Sequence, residues 1–586
     1  MTGDNARDSS AGKEISMFEL MLKNEGLNQQ AFQVLKSAVC RRLAERECAL
    51  SEPGLEVVLM VDGQMQEDEY RVEANSRRVC VVSGGVSGSF AGVGDYLRKS
   101  AFDGRGGCTP FEGTLALRPD NPIHGMYFAT HFQNFYEAAP LDQVRSIIED
   151  LALCGCNALM VWYDMHQFTD VDTPDSLAMI ARLKAMLRHA AAVGMKTVFT
   201  TLSNESFSNS PENLRAEWAE QNGYFKSPEG HYHVEICPNR EGGMEEILRQ
   251  RRRVMEAFSD VRLDYISVWP YDQGGCTCNK CAPWGANGFL KTLDALCELY
   301  AEVVPNSRVL CSTWFFDRFV KGEWDAFNRA VNKKMNPRVE YLFGYFANDE
   351  RVPEFIREGN MPAGKRMIAF PEISMYGALP WGGFGANPMP GRMEENYREN
   401  GGLYCGALPY SEGIFEDINK ELMLAFYSGR SNSAEEVLRE YARFELCLNG
   451  ELEDAFVQMV QGMEETLNRA ETDGVGMRVP WQRTVEHAYE EIRFIIEKPD
   501  RAAEVEALAE RIDAFLPKRI RTGWRWRVLR LRARIDAELC AHDMHFSEKF
   551  EESMEELKRI YSADHAYFVV TPLTRAAVRD VLGGVV

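Results

Sequence analysis

Between Ile123 and Gly413 the chain repeats one unit: a short apolar run, a polar or carboxylate-bearing end, then a helical stretch. The runs read "IHGMYFATH", "NALMVWYDMH", "KTVFTTLSNE", "DYISVWPYD", "RVLCSTWFFD", "VEYLFGYFAND", "KRMIAFPEIS" and "GLYCGALPYSEG". Apolar runs of this length, separated by helices such as Leu141–Leu153, 176–193, 244–258 and 288–304, are those of parallel strands covered by helices. Eight of them in succession predict an α/β fold, a closed (β/α)8 barrel over residues 120–431. An open doubly wound sheet is the alternative, but no Gly-rich dinucleotide fingerprint follows the first run. A short extra strand, "HVEICPN", fits between the third and fourth runs.

At 586 residues the chain is too long for one core, and its flanks read differently from its middle. Residues 1–27 are polar and mixed in charge, as in a flexible tail. Residues 28–119 hold a helix, apolar runs at 57–61 and 79–82, an alternating run at Tyr70, Val72 and Ala74, and a second helix at 89–100. That is a small α+β domain. Residues 432–586 are helical almost throughout, with Ser433 and Glu436 forming a capping box. The arginine-rich stretch from Arg519 to Arg534 fits either a solvated helix face or an anion- or partner-binding one.

A net charge of −22 argues against non-specific binding to nucleic acid or to an anionic membrane. No apolar run reaches the length of a membrane span, and the N-terminus lacks the basic start and apolar core of a secretory signal. Fifteen cysteines without such a signal fit a reducing cytosol. Self-association is left open by the sequence.

The loop after the fourth run, "PYDQGGCTCNKCAPWGANGF", carries Cys276, Cys278 and Cys281. Thiolates at this spacing suit zinc, which takes tetrahedral ligands. Cys237, at the end of "HVEIC", should lie close in space and supplies the fourth. A structural zinc site made by Cys237, Cys276, Cys278 and Cys281 is therefore expected. A redox thiol pair, unligated buried thiols and a catalytic zinc remain as alternatives.

Chemistry in a (β/α)8 barrel sits at the C-terminal ends of its strands. This rule selects His131, Asp164, His166, Asn204, Glu205, Asp272, Asp317, Asp349, Glu372 and Glu412. Aromatic residues accumulate at the same end: Trp162, Tyr163, Trp269, Trp314, Phe315, Tyr376, Trp381 and Tyr410. Aromatic faces stack on the C–H faces of sugars, so a carbohydrate is the expected partner.

The layout of residues 50–450 resembles that of β-N-acetylhexosaminidases and α-glucuronidases. Asp68-Glu69-Tyr70-Arg71-Val72, the run from Ser83 to Gly92, and the barrel-opening His124-Gly125 stand where phrases of their N-terminal domain and barrel start recur. "PYSEGIFEDINKELMLAFYSGRSNSAEEVLREYARF" is similar to the barrel-to-helical junction of α-glucuronidases and α-N-acetylglucosaminidases. The chain departs from typical β-hexosaminidases in having Tyr271-Asp272-Gln273 where they carry a tandem Asp-Glu, and His124-Gly125 in place of Arg-Gly.

The resemblance implies an exo-acting glycoside hydrolase that removes a terminal N-acetylhexosamine or uronic acid residue. Such enzymes work with two facing carboxyl groups, about 5–5.5 Å apart when retaining and about 6.5–9.5 Å apart when inverting. In a retaining reaction Asp272 would be the acid/base and Glu372 the nucleophile, with Glu412 as the third candidate. His131, Asp164, His166, Asn204, Glu205, Trp269, Trp314, Trp381 and Tyr410 would contact the sugar. Two other classes fit the same residues. One is a lyase or isomerase acting on a sugar acid through His131 or His166; the other is a catalytically silent carbohydrate-binding protein.

Overall fold

The computed structural model of the protein describes residues 18–51, 54–131, 134–224, 233–346, 352–373, 386–466, 499–543 and 545–561. Asp349, Tyr376 and Trp381, and the helical run expected at 481–498, lie outside these.

The central sheet is a closed barrel. Its strands are Ile123–His124 with Met126–Phe128, Ala158–Trp162, Lys196–Leu202, Tyr265–Trp269, Arg308–Ser312, Val339–Gly344, Arg366–Ala369, and Tyr404–Ala407 with Tyr410–Ser411. The first and eighth strands are each broken once, and their matching segments pair in parallel, Ile123 with Gly406 and Tyr127 with Tyr410. The first strand also pairs with the second, which closes the ring. Gly125 sits at the first break because a Cβ there would lie 2.5 Å from the carbonyl oxygen of Ala158. The strand residues are buried on both faces, which is why the sequence shows runs and not alternation. "HVEICPN" is not a strand. Glu235 and Ile236 make only single antiparallel bridges, to Glu205 and Arg215, so the segment lies across the end of the third strand.

Ahead of the barrel, strands order as Ala49–Leu50, Glu19–Glu25, Leu55–Val61, Arg78–Ser83, Tyr70–Ala74 and Gly113–Leu117 in one sheet, packed with helices Gln29–Glu45 and Val86–Lys99. Residues 19–25, expected within the flexible tail, are thus a paired sheet strand, because Leu20 and Leu22 align on Leu55 and Val57. Two phrases noted in the sequence meet where this region joins the barrel. His124 Nε2 lies 3.0 Å from Asp68 Oδ2, and Asn157 Nδ2 donates to the same oxygen at 2.8 Å. Burial raises the Asp68 carboxyl, but the His124 contact outweighs it and holds the group below its ordinary value. The histidine in the barrel opening is therefore a joint between two parts of the chain.

After the barrel come helices Ala434–Glu445, Glu451–Glu465, Pro499–Phe515, Trp524–Ala541 and Glu548–Tyr561. Ser433 caps the first, its hydroxyl accepting from the Glu436 amide at 3.3 Å. Ser433→Ala is expected to cost about 1 kcal/mol, measured as the shift of the denaturant midpoint. The arginines of 519–534 are largely spent inside the molecule. Arg527 pairs with Glu556 at 2.8 Å, Arg530 with Asp513 at 3.2 Å and Arg532 with Asp536 at 2.7 Å.

Arg525 enters a buried charge cluster. It lies 2.8 Å from Asp150, 3.0 Å from Asp417 and 3.3 Å from Glu445. Glu445 also pairs with Arg42, and lies 3.7 Å from Arg46. The cluster ties together a helix of the N-terminal region, two helices around the barrel and two of the C-terminal region.

Candidate active site

The fourth, seventh and eighth strands deliver three carboxyl groups to the barrel mouth. Asp272 follows Trp269-Pro270-Tyr271, and Glu372 follows Phe370-Pro371 and bridges in parallel to Tyr410. Both are half-buried, whereas Glu412 is buried. All three act on one group. Burial first, then the charges of Glu412, Glu372 and Asp272, push the Tyr410 hydroxyl far above its ordinary range. Glu412 is itself driven well above the carboxylate range by burial and by Glu416 and Glu372.

A second group of side chains fills the side of the second and third strands. Asp164, His166, Glu205 and His233 place potential ligand atoms within 4.8 Å of one another. Several of their polar atoms engage one another or the surrounding protein. Glu205 accepts from the Met165 amide at 2.7 Å and from Trp162 Nε1 at 3.3 Å, and His166 pairs with Asp164. Burial disfavours charge on His166, but Asp164 and Glu205 outweigh it and push the imidazole up to about 10. Burial also works on Glu205, yet the hydrogen bond from His166 and the neighbouring His233 bring it down to about 2. His166 is the cation these carboxyls share, lying against Asp164 and 3.9 Å from Glu205, while burial raises Asp164 to about 7. His131 is different. Burial and the nearby His166 hold it down at about 3, so it is neutral, with Nε2 at 3.1 Å from the Tyr410 hydroxyl.

Asn204 is fully buried and its amide donates to Glu235 Oε2 at 3.2 Å and to the Ile236 carbonyl at 3.0 Å. It therefore anchors the segment 235–236. Asp317 turns away from the mouth. Its carboxylate accepts from the amides of Glu323 and Trp324 at 2.6 and 3.2 Å, capping the helix Glu323–Val331. It does so from a left-handed backbone, φ 69°, a conformation that costs a non-glycine residue some strain.

The expected aromatic lining divides in two. Tyr163 stacks on Phe168 with ring centres 5.2 Å apart and bonds Ser176, so it belongs to the helix packing. Trp162, Trp269 and Trp314 line the mouth. Trp269 meets Trp314 at 5.4 Å and Phe370 at 4.9 Å. The indole N–H groups of Trp269 and Trp314 are buried and find no partner among the described residues. A buried donor without a partner costs about 1–3 kcal/mol, so two of them mark a place where an acceptor is needed.

Sequence reasoning missed Glu235 and His233. Both are buried, on the segment laid across the third strand, and His233 Nδ1 faces Gln273 Oε1 at 3.4 Å. Burial, and next the charges of Glu205 and Asp272 against a hydrogen bond from Asn204, push Glu235 up to about 8. The available signal was "HVEICPN" itself, which puts a glutamate two residues from a cysteine expected to bind metal. A carboxyl whose folded value exceeds its unfolded one is destabilising from the unfolded value, about 4.3, upward. Glu235→Gln is thus expected to melt at a higher temperature than wild type at pH 8, with the gap closing toward pH 5 in a calorimetric pH series.

No family model and no curated protein matches this sequence. Solved structures do match the fold. A family GH115 4-O-methyl-α-glucuronidase with specificity for decorated arabinogalactans aligns at TM-score 0.58 and 10% identity, over 94% of this chain and 77% of its own. A family 89 glycoside hydrolase from Clostridium perfringens aligns at 0.58 and 12%, over 91% of this chain and 65% of its own. A GH20 exo-β-N-acetylglucosaminidase from Vibrio harveyi aligns at 0.51 and 12%, over 76% and 74%. The chain shares with them the architecture that its sequence layout resembled.

Proposed function

We propose that the protein is a glycoside hydrolase. The observation that carries this reading is the delivery of Asp272, Glu372 and Glu412 by three strand ends to the C-terminal mouth of the barrel, where Glu372 bridges to Tyr410, together with two buried indole donors. In this reading Glu372 attacks the anomeric carbon and Asp272 protonates the departing oxygen, then deprotonates the water that releases the sugar. Glu412, on which burial disfavours charge, is the third carboxyl of the mouth. Trp269 and Trp314 offer their indole N–H groups to sugar oxygens, and exo action is what the resemblance implies.

Between the two expected sugars, an N-acetylhexosamine is favoured. The groups that act on Tyr410 are carboxyls, and the charged imidazole of His166 is committed to Asp164 and Glu205. Among the described residues, that field suits a neutral sugar better than a uronate. The family 89 neighbour has been captured with 2-acetamido-1,2-dideoxynojirimycin, an N-acetylated sugar mimic, which supports the choice.

A panel of α- and β-nitrophenyl hexosaminides, uronides and galactosides in reducing buffer tests the proposal, with NMR reporting the anomer released first. Hydrolysis of an N-acetylhexosaminide with retention is the expected result. Sugar binding without turnover of any substrate would instead define a silent binding protein. Elimination from a sugar acid that a chelator abolishes would define a lyase.

A further inference from the structure

Behind Asp272, two separate segments bring four thiols together. Cys276, Cys278 and Cys281 lie on the loop that leaves the fourth strand, and Cys237 lies on the segment laid across the third. All four sulfurs are within 4.8 Å of one another. Cys237 Sγ is 3.6 Å from Cys281 Sγ and 3.9 Å from Cys278 Sγ. A disulfide requires about 2.05 Å, and every cysteine of the chain is a free thiol. Two thiolates each about 2.3 Å from one zinc ion, at the tetrahedral angle, lie about 3.8 Å apart. The two separations fall either side of that value.

The surroundings suit thiolates. The Glu217 amide points at Cys276 Sγ at 3.4 Å, and Asn239 Nδ2 points at Cys281 Sγ at 3.1 Å. Lys291 holds Asn239 in place through its Oδ1 at 2.8 Å, and brings a positive charge toward a shell that four thiolates would leave negative. Donors of this kind orient metal-bound sulfur and temper its charge. The loop itself is shaped for close approach. A Cβ at Gly275 would lie 2.1 Å from the Trp284 ring, and that indole donates to the Pro270 carbonyl at 2.7 Å. The chain is thereby folded back from the strand end toward the cysteines.

We propose that Cys237, Cys276, Cys278 and Cys281 bind one Zn2+ in a closed four-thiolate shell that ties residues 233–237 to residues 271–281. Four protein ligands leave no open position, so this ion is a tie and not the reacting Lewis acid. Its second consequence rests on the glycosidase reading. Cys237 lies two residues beyond Glu235, Cys276 four beyond Asp272, and His233 already touches Gln273 across the same two segments. The ion sets the spacing of these carboxyls at the mouth.

The full chain, purified in reducing buffer with trace-metal control, is expected to contain about one zinc per molecule by mass spectrometry of the metal. Replacement by Co2+ is expected to give the intense near-ultraviolet thiolate charge-transfer bands and tetrahedral visible bands. Cys237→Ser and Cys278→Ser are each expected to lower zinc below about half an equivalent, while the exposed Cys40→Ser keeps it. Wild-type protein with less than about half an equivalent, or with iron instead, overturns the proposal, as does unchanged zinc in both ligand variants. These measurements do not depend on turnover. Zinc-bound protein inactive on every glycoside would leave the tie standing and remove the glycosidase reading. Active protein without zinc would do the reverse.

Discussion

Glu372→Gln and Asp272→Asn are each expected to lower kcat/KM by about 10²–10⁴-fold while leaving sugar affinity within a few-fold. Both replacements keep shape and hydrogen-bonding capacity and remove only the ability to attack or to exchange a proton. The two should also differ from one another. An activated aryl leaving group needs little protonation, so Asp272→Asn should lose less on nitrophenyl substrates than on an unactivated disaccharide. Glu372→Gln should lose equally on both. Added azide is expected to intercept the glycosyl-enzyme of Asp272→Asn and give a glycosyl azide of retained configuration, whereas azide standing in for the lost nucleophile of Glu372→Gln would give the inverted one. Full activity in both variants would remove these two residues from the reaction. Glu412→Gln supplies the contrast. Burial disfavours charge on Glu412 and this reading gives it no part in bond making or breaking, so the loss should be much smaller than for the other two.

The second large effect concerns stability. Arg525→Met leaves Asp150, Asp417 and Glu445 gathered in a buried space without the cation they share. Removing one partner from such a cluster costs about 3–5 kcal/mol. The variant should unfold at clearly lower denaturant, and limited proteolysis should release the C-terminal helices before the barrel is cut. Glu445→Gln tests the same cluster from the other side, since Arg42 and Arg46 lose their shared acceptor. The cluster also sets an acid limit. Burial raises the Glu445 carboxyl, but Arg42, Arg525 and Arg46 outweigh this and hold it down at about 2. A depressed folded value contributes stability above the unfolded one, about 4.3, and that contribution is lost as the pH falls toward 2. Wild type should therefore lose stability over this window, and Glu445→Gln should show a shallower decline. Equal slopes would mean that the cluster does not couple folding to pH.

Much of this was legible before any coordinates. Eight apolar runs, each ending in a polar group, predict the barrel and its mouth, because a strand buried on both faces must be apolar along its length. Ser433 and Glu436 marked a helix start that the structure has, since the cap is a local hydrogen bond. The cysteine spacing singled out a loop for the same reason: its chemistry is local. The strand Glu19–Glu25 was not legible, because "ELMLKNE" is held by its pairing partner and not by its own pattern.

The sequence by itself determined which residues stand at the strand ends, since strand ends are a one-dimensional property. Only the tertiary structure decided what each one does there. It turned Asp317 into a helix cap and His124 into a joint, committed His166 to Asp164 and Glu205, and brought the overlooked Glu235 beside Asp272. The physical reason is that protonation and hydrogen bonding depend on burial and on neighbours distant in sequence, and neither is written in the spacing of a chain.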